Sequence, residues 1–296
     1  MNIVVHDTAS AMADLLRRPV AQRPDALRDM LAPLQEVMGP ALGGADVTDT
    51  HRRGSGFRVD RDDPRHPEAL RRMRNAGVWQ RIEDSLHAAR ERLAAAAPGA
   101  RSADTVHVVL VLGDPDDELL AVDSAGYFGM GGIPGAIHLT MWPTATSLAK
   151  IGHAAAHELH HNVRYANVTW DPATVTVGEQ VVAEGLAEAF VRELAGEAAM
   201  GPWATSLSGA ELDTAHEKVT AAIDVAGMAN LPPYVYGDAI ARSMGLDPVG
   251  LPYCAGYAAG LRIADAHLAA SGLTAAGSVA LPAREVLTNA GVPARA

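Results

Sequence analysis

Apolar and polar positions along the chain follow two periods. Short β-branched or wholly apolar runs at residues 2–5, 106–112 and 136–140 predict strands, and a further short strand is expected at 119–122. The run at 106–112 is apolar except for His107 and is stopped by Gly113-Asp114-Pro115. Apolar positions three and four apart predict helices at 9–18, at 24–38 ended by Gly39-Pro40, and at 145–165 after a start signal at Pro143-Thr144. A long helix opening at Pro67 and running to about Ala97 is expected from the stripe Leu70, Met73, Ala76, Ile82, Leu86 and Leu93. Another spans about 176–194 and is closed by Gly196, and Ser208 with Glu211 reads as a capping box for a helix ending near Gly227. Residues 46–67, rich in Arg, Asp, Gly and Pro, read as a solvated loop, with a substrate-binding role as the other reading. The tail from Thr274 offers a short helical stretch at Val286-Leu287 and no chemistry.

The pattern predicts an α+β protein, mostly helical, with a small mixed sheet. Residues 1–100 form a mainly helical N-terminal region and 101–296 a second region, the two being able to form one continuous domain. At 296 residues and 48% hydrophobic, the chain can bury a sizeable core. A net charge of −11 argues against nucleic acid and anionic membranes as partners, although Arg71, Arg72 and Arg74 form a local basic patch. The single Cys254 excludes an intramolecular disulfide and suits a small buried residue. No basic leader precedes an apolar core in residues 1–14, and no run of about eighteen apolar residues occurs. Cytoplasm is therefore the expected compartment.

Chemistry concentrates in His157-Glu158-Leu159-His160-His161, well inside the expected helix at 145–165. Histidines four apart share one helix face, so their imidazoles can converge on one ion. Glu158 points towards the same cleft without having to ligate, which suits it to accept a proton. His160 faces away and reads as structural. His153, one turn before His157, is a partner of the site, an alternative ligand or an ordinary hydrogen-bonded helix residue, while His138, His216 and His267 have no spacing that recommends them. A catalytic zinc needs a third protein ligand. Glu184, 23 residues after His161, supplies it in the stretch Ala183-Glu184-Gly185-Leu186-Ala187-Glu188, with Glu179 as a competitor on a different face. Zn2+ is the expected cofactor.

The pair His-Glu-Leu-His-His and Glu-Gly-Leu-Ala-Glu resembles the gluzincin arrangement of zinc peptidases. More closely, the chain is similar to the YjaZ-like bacterial predicted Zn-dependent proteases, a family of unknown function, over about residues 100–270. The glycine-rich run 126–135, Tyr236-Gly237-Asp238 and Tyr253-Cys254-Ala255-Gly256-Tyr257 share that family's style. The spacing to Glu184 is a little longer than in thermolysin-like enzymes. The resemblance implies a zincin-like fold with the sheet packed on the motif helix, and zinc held by His157, His161 and Glu184. It implies a peptide or protein substrate, Glu158 as general base and Glu188 orienting a zinc histidine. The run 126–135 and the strand after it are expected either to line the cleft or to form a plain hairpin. The oxyanion donor is sought among Tyr234, Tyr236, Tyr253 and Tyr257. The resemblance favours Tyr257, and a core tyrosine is the other reading. Some relatives carry the label of heat-shock-type transcriptional regulators, so the alternative is a regulator with a metal site and no peptidase activity.

Overall fold

A computed structural model describes residues 1–293. By its internal contacts the chain divides into two compact units, Met1–Arg90 with Ser102–Asn162, and Glu91–Arg101 with Val163–Ala296. The expected α+β class holds: the described residues are mostly helical, with one small mixed sheet. No helix among them is long and apolar enough to cross a membrane.

In chain order the first elements are β1 (Asn2–Val5), α1 (Thr8–Arg17), α2 (Arg23–Ala41), α3 (Val47–Arg53), α4 (Arg65–Asn75) and α5 (Val78–Ala96). Then come β2 (Thr105–Leu112), β3 (Tyr127–Met130), β4 (Ala136–Met141) and α6 (Ala145–Asn167). The four strands lie in the order β1-β2-β4-β3; the first three are parallel and β3 runs antiparallel to β4. Every residue of β4 is buried, as is all of β2 from Val108 onward, which is why both read as apolar runs without alternation. Side chains alternate across the sheet. Gly129 and its partner Leu139 face Glu158 of α6, whereas His138 faces His51 of α3, so the two helices cover opposite faces.

The remaining helices are α7 (Val177–Ala195), α8 (Pro202–Thr205), α9 (Gly209–Ala221), α10 (Pro232–Val235), α11 (Asp238–Ser243), α12 (Ala255–Ser271) and α13 (Ala283–Asn289). Helices α7 and α12 are buried along most of their length and form the core of this unit. They approach so closely that a Cβ on Gly185 would lie 2.0 Å from the carbonyl oxygen of Gly260. That contact accounts for the glycine in Glu-Gly-Leu-Ala-Glu.

Several local expectations are corrected. Helix α2 does not stop at Gly39-Pro40 but runs to Ala41 with Pro33 and Pro40 inside it, because the buried stripe Leu27, Leu31, Leu34 and Met38 holds it by packing. The expected loop at 46–67 contains α3. Asp46 caps it by accepting from the Thr48 N–H at 2.9 Å, and only Val47 and His51 are buried, so its exposed charged face hid it. The single helix expected from Pro67 to Ala97 is two, α4 and α5, broken at Gly77, whose φ of +61° lies in the left-handed region that glycine tolerates. Leu119–Asp123 forms one π-helical turn instead of a strand, since only Leu120 finds a buried position while Leu119 and Val122 face solvent. Ser208 makes no side-chain cap to α9, which ends at Ala221, short of Gly227. Cys254 is buried and free, as expected.

Candidate metal centre

Helix α6 starts where Pro143-Thr144 announces it. Thr144 Oγ1 accepts from the Ser147 N–H at 3.0 Å and Ser147 Oγ accepts from the Thr144 N–H at 2.8 Å, a reciprocal cap of the first turn. Three turns later, His157 and His161 lie one above the other. Their Nε2 atoms are 2.9 Å apart and their rings meet edge to face, with centroids 4.6 Å apart. Both rings are buried, as is Glu158 beside them.

Helix α7 carries the two acids. Its start is a full capping box between Thr176 and Glu179, so Glu179, the competing ligand, is occupied in closing the helix end. Glu184 is buried, and its Oε1 accepts from the Gln180 side-chain amide one turn earlier at 2.8 Å. Glu188 is buried with its two oxygens accepting from the Gly201 N–H at 2.8 Å and the Trp203 indole at 2.7 Å. Tyr257, half-buried in the first turn of α12, packs its ring against that same Trp203 and against Tyr236, each at 6.3 Å between centroids. His153 is half-buried; burial, then the positive charges of Lys150 and Arg81, lower its pKa. His160 is fully buried.

Among the described residues, His157, His161 and Glu184 are the one group of three able to hold a metal ion, with one ligand atom from each within 4.8 Å of the others. Ligands on a tetrahedral zinc, with bonds of about 2.0–2.1 Å, stand about 3.3 Å apart. Two imidazoles and a carboxylate, buried and within these separations, fit that ion. The donor set also has the composition of a three-ligand catalytic zinc site.

Several residues that shape the site escaped sequence reasoning. The glycine run 126–135 folds as a hairpin, with β3 rather than the following strand at the sheet edge. A Cβ on Gly129 would fall 2.5 Å from Glu158 Cγ, and one on Gly131 would fall 2.3 Å from the Glu158 carbonyl oxygen. Only glycine lets the hairpin pass so close to Glu158. Asn162, the residue after the motif, pins the turn. Its Oδ1 accepts from the Gly135 N–H at 2.8 Å, and its Nδ2 is shared among the carbonyls of Ile133 at 2.8 Å, Ala136 at 2.9 Å and Gly131 at 3.1 Å. The sequence signal for Asn162 and for Gln180 was weak: a polar residue inside an apolar helix.

The family model described as "Predicted Zn-dependent protease (DUF2268)" matches residues 81–288. The chain is 30% identical over 306 aligned residues to the uncharacterized protein YjfC of Bacillus subtilis, covering 99% of each chain. It is 30% identical over 133 residues to the uncharacterized protein YjaZ of the same organism, covering 44% of this chain and 47% of that one. No solved structure matches.

Proposed function

The chain belongs to the family of predicted Zn-dependent proteases (DUF2268), and from that membership we propose that it is a gluzincin-type peptidase with a zincin-like fold, working at one zinc held by His157, His161 and Glu184. The observation that carries the reading is the grouping of those three donors, two imidazoles and a carboxylate, with the acid Glu158 beside the first of them. Bound there, zinc supplies Lewis acidity: it acidifies water and polarises a carbonyl.

The protein's own residues do the rest. Gln180, by donating to Glu184 Oε1, fixes the carboxylate that serves as third ligand. Glu158 takes a proton from the attacking water onto its carboxylate and returns it to the leaving amine nitrogen. Gly129 and Gly131 let the hairpin cover that carboxylate and keep bulk water away from it. The substrate peptide lies extended along β3, the sheet edge next to Glu158, where main-chain groups can pair with it. Tyr257 donates its hydroxyl to the developing oxyanion, and Glu188 holds a zinc histidine in orientation.

The test compares the wild type with Glu158→Gln for zinc per chain and for cleavage of an unfolded protein substrate. Both proteins are expected to hold about one zinc, with cleavage reduced by about 10²–10⁴ in the variant. Cleavage that survives the substitution, or a wild type that takes up no zinc, ends this reading.

A further inference from the structure

We infer that Arg164 is the anchor of a second site, one that binds a small molecule through a carboxylate or phosphate group. Its side chain is 1% exposed. A guanidinium remains protonated at any physiological pH, so the charge must be balanced where it is buried. No carboxylate among the described residues forms an ion pair with it. Its Nη1 donates to the carbonyls of Val279 at 3.3 Å and Leu281 at 3.0 Å, while neither Nε nor Nη2 makes a hydrogen bond with the described residues. Nε–H and Nη2–H share one edge of the guanidinium plane. Nε is itself buried, so of the two Nη2 is the donor left to meet an oxygen of a carboxylate or phosphate.

Arg164 lines a cavity of about 340 Å³ together with Tyr165, Asn167, Trp170, Glu179 and Arg284. This volume suits a metabolite-sized ligand and is too small for a folded partner. Among the described residues Glu179 is the one acid on its wall. It is near enough to favour the guanidinium's charge without pairing with it, and its Oε2 is committed to the Thr176 N–H at 2.8 Å. Trp170, 38% exposed, meets Tyr165 edge to face at 6.1 Å and supplies an apolar wall. The guanidinium without an ion pair among the described residues, the cavity and the aromatic wall together define an oxyanion with a compact apolar body. Burial favours such a contact, because a charge-assisted pair shielded from water is worth more than one at the surface.

The measurement is the thermal midpoint of the full-length protein titrated with acetate, benzoate or inorganic phosphate against chloride at matched ionic strength. A saturable rise in the millimolar range is expected with at least one oxyanion and none with chloride. A carboxylate response without a phosphate response assigns an organic acid as the ligand class, and the converse assigns a phosphate. Ala280→Phe puts a large side chain on the cavity wall and leaves the guanidinium in place by sequence, and is expected to weaken the response by at least about tenfold. Arg164→Gln is expected to remove it. Should Arg164→Gln fail to fold, Ala280→Phe decides alone. A wild type indifferent to every oxyanion, or a full response in Ala280→Phe, overturns the assignment. The readout is binding, so it stands or falls separately from peptide cleavage.

Discussion

Two groups of buried histidines occupy the sheet-containing unit, and they differ in one respect. His157 and His161 come from one helix, a turn apart, and bring their Nε2 atoms to 2.9 Å. His51, His66 and His138 come from α3, α4 and β4, and are just as buried. Their rings do not converge: His51 and His138 stand 6.5 Å apart and tilted, and Phe57 lies edge to face against both His51 and His66. Burial alone therefore does not make a metal site. Helical spacing aims two lone pairs at one point, whereas the second group is a packed core kept neutral. Burial pushes His51 down to about 4, against the raising effect of its hydrogen bond to the Phe57 carbonyl, and burial followed by the neighbouring His51 pushes His138 down to about 3.

The sharpest break of this comparison removes one member from each group. His157→Ala or His161→Ala is expected to abolish zinc retention with the fold intact, read as zinc per chain after purification and by circular dichroism. His138→Leu is expected to keep one zinc per chain. Zinc lost equally from both kinds of variant would erase the distinction.

The next effect is one of pH. A histidine whose folded pKa lies below its unfolded value near 6.5 contributes full stability above pH 6.5 and loses it as pH falls towards the folded value, because the unfolded chain binds the proton first. Between pH 6.5 and 4 each of His51 and His138 is expected to cost on the order of 3 kcal/mol. Urea midpoints across that range measure it. His138→Leu should flatten the slope, and an unchanged slope would show that this core does not carry the acid sensitivity.

The smallest effect sharpens the first group. Asn162→Ala leaves hairpin carbonyls and the Gly135 N–H without their partner, and is expected to cost about 2 kcal/mol in denaturant unfolding. Because it frees the hairpin over Glu158, cleavage should fall further than zinc content does. Equal losses of cleavage and zinc would make Asn162 a stability residue only.

Much of the site region was legible because its signals are local. The helix start at Thr144, the one-turn spacing of His157 and His161 and the helix carrying Glu184 and Glu188 each depend on residues within a few turns of one another. The glycine-dense stretch was visible as unusual, but not as a cover over Glu158. Nothing near Gly129 in sequence announces a neighbour on a helix some thirty residues later. The first hundred residues were read less well for a related reason. Helix α3 shows solvent a charged face and buries only Val47 and His51, and α4 and α5 share a continuous stripe across a single glycine.

By itself the sequence determined the class of the fold, the zinc-type motif and the order of its helices, because helix periodicity and capping act over four residues at a time. Only the tertiary structure decided which buried polar groups meet. It gave Asn162 the hairpin carbonyls and Glu188 the Trp203 indole, and it left Arg164 lining a cavity with no ion pair among the described residues. Those outcomes depend on contacts between segments far apart in the chain, where packing chooses among partners that local sequence leaves equivalent.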